Sequence, residues 1–202
     1  RTDRPARFSH STRKAYAAHL ASFRDAGDDL WVVPANDVEA LQAAFDRADA
    51  EGVFIEAMFV EPVQGEGSPG KAMSRAFYDR ARALTLSHDT LLLVDSIQAG
   101  LRAWGTLSLV DYPAVEDAEA PEMETWSKAL SAGPYPRSVL GLTERAAAIY
   151  EVGVYGNTMT TAPRALDVAS AVLDLVTPEL RENVREQGCA FVGDLQRLQG
   201  KF

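Results

Sequence analysis

Residues 53–63 form an apolar, β-branched run interrupted only by Glu56, Glu61 and Pro62. A run so continuous does not suit a strand with one wet face, and it predicts a central strand buried on both faces. A turn-rich segment follows at 65–70, after which Met73, Phe77, Ala81 and Leu84 recur at helical spacing. Residues 91–94 are a second short apolar run, closed by Asp95. Strand, helix, strand in this order implies a parallel sheet covered by helices, with binding groups gathered at the carboxyl ends of the strands. Asp95 stands at such an end.

The flanking segments extend the same α/β pattern. Asn36 followed three residues later by Glu39 reads as a helix cap, and Val38, Leu41, Ala44, Phe45 and Ala48 give the helix one apolar face, ending near Gly52. Residues 124–127 and 139–142 are short strands on either side of Lys128. Pro163 suits the first turn of a helix that buries Leu166, Ala169, Val172, Leu173 and Val176. Thr177 and Pro178 start a further helix, with Leu180, Val184, Phe191, Leu195 and Leu198 on one face and no evident partner for them.

Composition removes several classes of function. A formal net charge of −9 disfavours nucleic acid as the main partner, because phosphate binding needs a basic surface. No apolar run approaches the roughly 20 residues that span a bilayer. The single cysteine, Cys189, and three histidines without metal-ligand spacing point to no metal centre and fit a reducing compartment, either cytoplasm or mitochondrial matrix. Residues 1–24 are basic and nearly free of acids, as in a transit peptide. The chain begins without Met, however, which favours an interior segment of a longer protein.

One motif competes for the function. Gly65-Glu66-Gly67-Ser68-Pro69-Gly70-Lys71 matches the G-x-x-x-x-G-K phosphate loop of nucleotidases and lies between a strand and a helix. Two residues oppose that reading: Ala72 stands where a metal-binding hydroxyl is needed, and Pro69 removes a backbone donor.

Asp95 and Lys128 are charges that packing does not explain. Together they supply an amine able to form a Schiff base and a carboxylate able to keep a pyridine nitrogen protonated. Glu61-Pro62-Val63-Gln64-Gly65-Glu66-Gly67, Asp95-Ser96-Ile97-Gln98-Ala99-Gly100, Ser127-Lys128-Ala129-Leu130-Ser131-Ala132-Gly133 and Gly156-Asn157-Thr158 with Ala162-Pro163 stand in this order. They resemble the E-P-[IV]-Q-G-E-x, D-E-[VI]-Q-T-G, G-K-[AG]-L-[SG]-G-G and G-[SN]-T-[YF]-G-G-N-P motifs of the class III, pyridoxal-phosphate-dependent aminotransferases of the ornithine, acetylornithine and 4-aminobutyrate group. The resemblance runs from about residue 33 to about residue 176.

It implies a three-layer α/β large domain of fold type I, with a mostly parallel sheet, incomplete at both ends. Residues 1–32 would be a basic N-terminal segment, 33–176 the cofactor-binding large domain, and 177–202 a helix leading toward a C-terminal small domain. Lys128 would hold pyridoxal phosphate as a Schiff base and then shuttle a proton. Asp95 would pair with the ring nitrogen, Ile97 would lie on a ring face, and Gln98 would bond the ring hydroxyl oxygen. Thr158 would reach the phosphate of the neighbouring subunit's cofactor in a homodimer, and Glu66 would help sort substrates. The implied reaction moves an amino group, the terminal amine of ornithine or a relative, to a 2-oxo acid. The sequence departs from the motifs at Ser96, Ala99 and residues 159–162, which keeps a degenerate, structural aminotransferase-like subunit as the alternative.

Overall fold

The computed structural model of the protein describes residues 30–66, 68–101, 105–112, 115–150 and 162–201. The chain divides into two units, Arg1–Val53 and Phe54–Phe202. The first is described from residue 30 onward and holds helix α1, Val38–Glu51, whose Leu41, Phe45 and Ala48 are buried. Its cap is Asp37 rather than the expected Asn36: the Asp37 carboxylate accepts the Ala40 N–H at 2.8 Å, while Asn36 takes a positive φ of 66° and turns the chain into the helix. The Arg47 guanidinium lies over the Trp31 ring, 4.2 Å from its centroid. The remainder of the basic segment expected at 1–32 falls outside the described residues.

The second unit is built on a four-stranded sheet: β1 (Ala57–Val60), β2 (Leu91–Asp95), β3 (Met123–Trp126) and β4 (Val139–Leu142), adjacent in that order. β1, β2 and β3 are parallel and β4 runs antiparallel to β3, with Asp95 opposite Thr125 and Trp126 opposite Val139. Helix α2, Arg75–Ser87, makes the crossover between β1 and β2; Ser74 caps it by accepting the Phe77 N–H, and it buries Phe77, Tyr78, Ala81 and Leu84. Tyr78, Leu92, Val94, Ala99, Leu109 and Tyr112 form the core between sheet and crossover.

Two burial expectations are corrected. The run at 53–63 yields only the four residues of β1, which has a strand neighbour on one side among the described residues, and its Phe59 is 68% exposed. An unbroken apolar run signals that burial is wanted but not what supplies it. Helix α4, Pro163–Leu175, starts on Pro163 as expected, yet it buries only Ala165 and Ala169, while Leu166 and Leu173 are exposed. The helix packs against the 3₁₀ turn Lys128–Ser131. Between these elements lies the short helix α3, Glu144–Ala147. Helix α5, Pro178–Gln199, buries no residue fully: of its expected stripe Leu180, Phe191, Leu195 and Leu198 are exposed, while Val184 is half-buried close to Gly105.

Candidate active site

Because β1, β2 and β3 are parallel, the segments that follow them emerge at one edge of the sheet. These segments carry Glu61 to Glu66, Asp95 to Gln98, and Ser127 with Lys128. The edge where binding groups collect in an open α/β sheet therefore holds three of the four motifs.

Asp95 is the last residue of β2 and half-buried. Its Oδ1 accepts the Ile97 N–H at 3.0 Å and the Thr125 hydroxyl at 3.4 Å, and its Oδ2 accepts nothing among the described residues. The carboxylate is thus held by one oxygen and free at the other. The turn behind it is closed at its base, where the Ser96 N–H donates to the Thr125 carbonyl at 3.0 Å and the Ser96 carbonyl accepts the Gly100 N–H at 2.7 Å. A side chain at Gly100 would stand 2.6 Å from the Ser96 carbonyl oxygen, so the tight turn needs a glycine there. Ile97 and Gln98 lie at its tip.

Lys128 opens the 3₁₀ turn after β3 with a φ of 40°, a left-handed conformation that a side chain adopts only when its surroundings impose it. The Ser131 hydroxyl donates to the Lys128 carbonyl at 2.8 Å, and α4 packs against the same turn. The Lys128 amine is exposed and donates to Gln98 Oε1. Gly65 lies directly against Gln98, since a Cβ at position 65 would fall 2.8 Å from Gln98 Cβ and closer still to Cγ. Val63, Gln64, Gly65, Pro69, Gly70, Gln98 and Ala99 line an open cleft of about 260 Å³ at this place. Lys128, Gln98 and the Gly65 turn thus converge, with Asp95 at the adjoining strand end. Glu66 is exposed on that turn. Thr158 lies outside the described residues.

The phosphate-loop reading fails on geometry. Gln64 and Lys71 close a hairpin-like loop: the Gln64 N–H donates to the Lys71 carbonyl at 3.0 Å, Gly70 to Gln64 at 2.9 Å, and Lys71 to Ser68 at 3.3 Å. Donors that would have to cradle a phosphate are spent inside the loop, and α2 starts four residues beyond Lys71 rather than on it.

Two acidic residues, Glu122 just before β3 and Glu124 within it, carried no role in the sequence expectations. Glu122 is buried, and its carboxylate receives the Arg82 guanidinium at 2.8 and 2.9 Å, the Leu92 N–H at 2.9 Å and Arg145 at 3.1 Å. Burial works against its charge, but the Leu92 N–H and the Arg82 guanidinium outweigh it and hold the carboxyl below its usual range. Glu124, also buried, accepts Ser96 Oγ at 2.5 Å, Leu109 N–H at 2.9 Å and Ser108 Oγ at 2.8 Å. Without a facing cation, burial pushes its carboxyl up, and those hydrogen bonds only partly counter it. The departure at Ser96 therefore has a local explanation: its hydroxyl is occupied by Glu124.

Among the described residues no cluster of histidine, cysteine and acidic side chains is placed to hold a metal ion, and no helix is long and apolar enough to cross a membrane.

The mostly parallel sheet with its crossover helix is the fold of aminotransferase structures that superimpose on this chain. The ornithine aminotransferase of Toxoplasma gondii matches with a TM-score of 0.71 at 31% identity, over 83% of this chain and 38% of its own. A second structure of it, equally similar, shows partial occupancy of PLP at its active site. The acetylornithine aminotransferase of Elizabethkingia anophelis matches with a TM-score of 0.71 at 29% identity, over 84% of this chain and 40% of its own. In sequence, the acetylornithine/succinyldiaminopimelate aminotransferase of Yersinia pestis is 33% identical over 86% of this chain and 40% of its own length. The acetylornithine aminotransferase of Xanthomonas axonopodis pv. citri is 34% identical over 83% and 38%. The family profile described as aminotransferase class-III matches residues 11–202. The chain belongs to the class-III aminotransferase family, and it spans about two fifths of the length of these relatives.

Proposed function

We propose that this chain is the cofactor-holding part of a pyridoxal-phosphate-dependent enzyme that moves an amino group from an amino donor to a 2-oxo acid. The observation that carries the reading is the meeting of the Lys128 amine with Gln98 at the strand edge that also ends in Asp95. The residues suit the cofactor: an exposed primary amine can bond its aldehyde carbon, the free Asp95 Oδ2 is an acceptor for a ring N–H, and Gln98 offers an amide beside the amine. When bound, the cofactor supplies an electron sink for the pair left behind as a proton leaves the substrate carbon.

The rest of the work falls to the chain. Lys128 would hold the cofactor through its amine, and the same Nζ, when free, would carry the proton leaving the substrate carbon. Asp95 keeps the ring nitrogen protonated through a charge-assisted hydrogen bond. Ile97, stiff at its branched Cβ, covers one ring face, and Gln98 orients the ring hydroxyl oxygen. Glu66 sorts substrates from the exposed turn, and Thr158 donates to the phosphate bound by a second subunit. The donor we favour is the terminal amine of ornithine or a relative, in line with the ornithine and acetylornithine enzymes among the similar proteins. Residues 33–176 would form the large domain and 177–202 lead to the small one, in a protein acting inside the cell. The bacterial relatives give a mitochondrial matrix no support.

The test is reduction of the cofactor-loaded, full-length protein with borohydride followed by peptide mass mapping. The cofactor should be fixed to Lys128, and Lys128→Ala should fix none. A label on another lysine, or none on the native protein, would overturn the assignment.

A further inference from the structure

Among the described residues Glu124 is a buried carboxylate of the sheet whose hydrogen bonds come from two hydroxyls and a backbone N–H rather than from a basic side chain, with the Asp111 carboxylate near enough to oppose its charge. Its three bonds go to two different segments. Oε1 takes the hydroxyl of Ser96, at the base of the turn that displays Ile97 and Gln98, together with the Leu109 N–H; Oε2 takes the Ser108 hydroxyl. An apolar strand residue would occupy this place without the cost of burying a carboxylate, which is several kcal/mol unless the group is well bonded. Thr125, the next residue, bonds Asp95 from the same strand.

We infer that Glu124 is a positioning residue of the cofactor site, clamping the 96–100 turn through Ser96 so that Asp95 and Gln98 face the Lys128 amine. This rests on the function proposed above. The clamp acts from behind: Glu124 touches neither Lys128 nor Gln98, and its effect on them passes through the hydroxyl of Ser96. Four holds therefore meet at the base of the turn: the Ser96 N–H on Thr125, the Ser96 carbonyl on Gly100, the Ser96 hydroxyl on Glu124, and the Ile97 N–H on Asp95. Of these four, the Glu124 hold is the one that reaches the 105–111 segment, which the Leu101 N–H, just past the turn, also joins by donating to the Thr106 carbonyl at 2.8 Å.

The experiment compares Ser96→Ala, Glu124→Val, the double variant and Glu124→Gln in the full-length protein, with two readouts. The first is hydrogen exchange of the amides of residues 97–100 without cofactor; the second is the pyridoxal phosphate dissociation constant, read from its visible absorption. Ser96→Ala and Glu124→Val should each speed exchange in the turn and weaken binding about ten-fold, as for loss of one ordinary hydrogen bond. The double variant should be no weaker than Glu124→Val, since both remove one link, and Glu124→Gln, which can keep all three hydrogen bonds, should behave like the native protein. Should Glu124→Val fail to fold, Ser96→Ala alone decides, because it leaves the Glu124 bonds to residues 108 and 109 in place. Native exchange and native affinity in Ser96→Ala would overturn the clamp. A native protein that takes up no cofactor would overturn the proposed function instead, while the exchange comparison would still settle whether Glu124 holds the turn.

Discussion

At the scale of single residues the site depends on one contact that leaves no room for a methyl group. A Cβ on residue 65 would fall 2.8 Å from Gln98 Cβ, near the root of that side chain rather than its flexible end, so Gly65→Ala must displace Gln98 from the Lys128 amine. Overpacking of this kind costs about 1–3 kcal/mol. We expect cofactor affinity to fall by about one to two orders of magnitude, with a smaller loss of thermal stability. A spectroscopic titration of the variant checks this, and unchanged affinity would remove Gln98 from the site. Asp95 and Lys128 stand out in the sequence as charges at the ends of apolar strands, whereas Gln98 enters only through the resemblance to the family motif, and the fold brings its side chain to the Lys128 amine. Gly65 was legible as part of a motif, though not as the neighbour of Gln98. Glu124 was illegible: a glutamate within a four-residue strand gives no sign of facing inward, and its burial comes from residues 105–111, which fold over it.

At the scale of elements, sequence periodicity located β4 and the start of α4 to the residue, but it misjudged what each apolar face is packed on. The reason is visible in α4, which packs against the Lys128 turn yet buries Ala165 and Ala169 while Leu166 and Leu173 stay exposed. Periodicity finds a face, whereas the partner's shape decides which residues of that face are covered. What joins α2 to β3 is likewise absent from the apolar pattern: Arg82, 8% exposed, crosses to Glu122, 4% exposed, which also takes the Leu92 N–H. Arg82→Leu leaves a buried carboxylate with Arg145 as its remaining cation and should cost about 2–4 kcal/mol in denaturant unfolding. The pH dependence follows from the direction of the shift. Glu122 is lowered on folding, so its contribution is complete above the usual carboxylate range and is lost as pH falls through its depressed folded value. In Arg82→Leu that lowering is relieved, and the part of acid unfolding due to Glu122 should flatten. An acid-unfolding curve parallel to the native one would show that the pair does not hold α2 to the sheet.

At the scale of the whole molecule, the surfaces left open argue for assembly. Phe59 on β1 and Phe191, Leu195 and Leu198 on α5 are exposed apolar groups, more than scattered surface residues require. The chain spans about two fifths of the length of the relatives it matches. The expectation of a second subunit rests on the role proposed for Thr158. The loop at 64–71 spends its own donors internally, and the groups that converge near Lys128 are suited to the ring rather than to its phosphate. Thr158, the residue proposed to reach a phosphate, is proposed to do so across a dimer interface. The full-length protein should therefore be at least a homodimer, and dilution should release cofactor and lower activity together, because parting the subunits takes phosphate ligands from both sites at once. Thr158→Val keeps the shape of the side chain while deleting its donor. It should weaken cofactor binding by about 1–3 kcal/mol and leave the dimer intact. Light scattering alongside the cofactor titration reads both quantities, and a fully loaded, active monomer would show that each subunit completes its site alone.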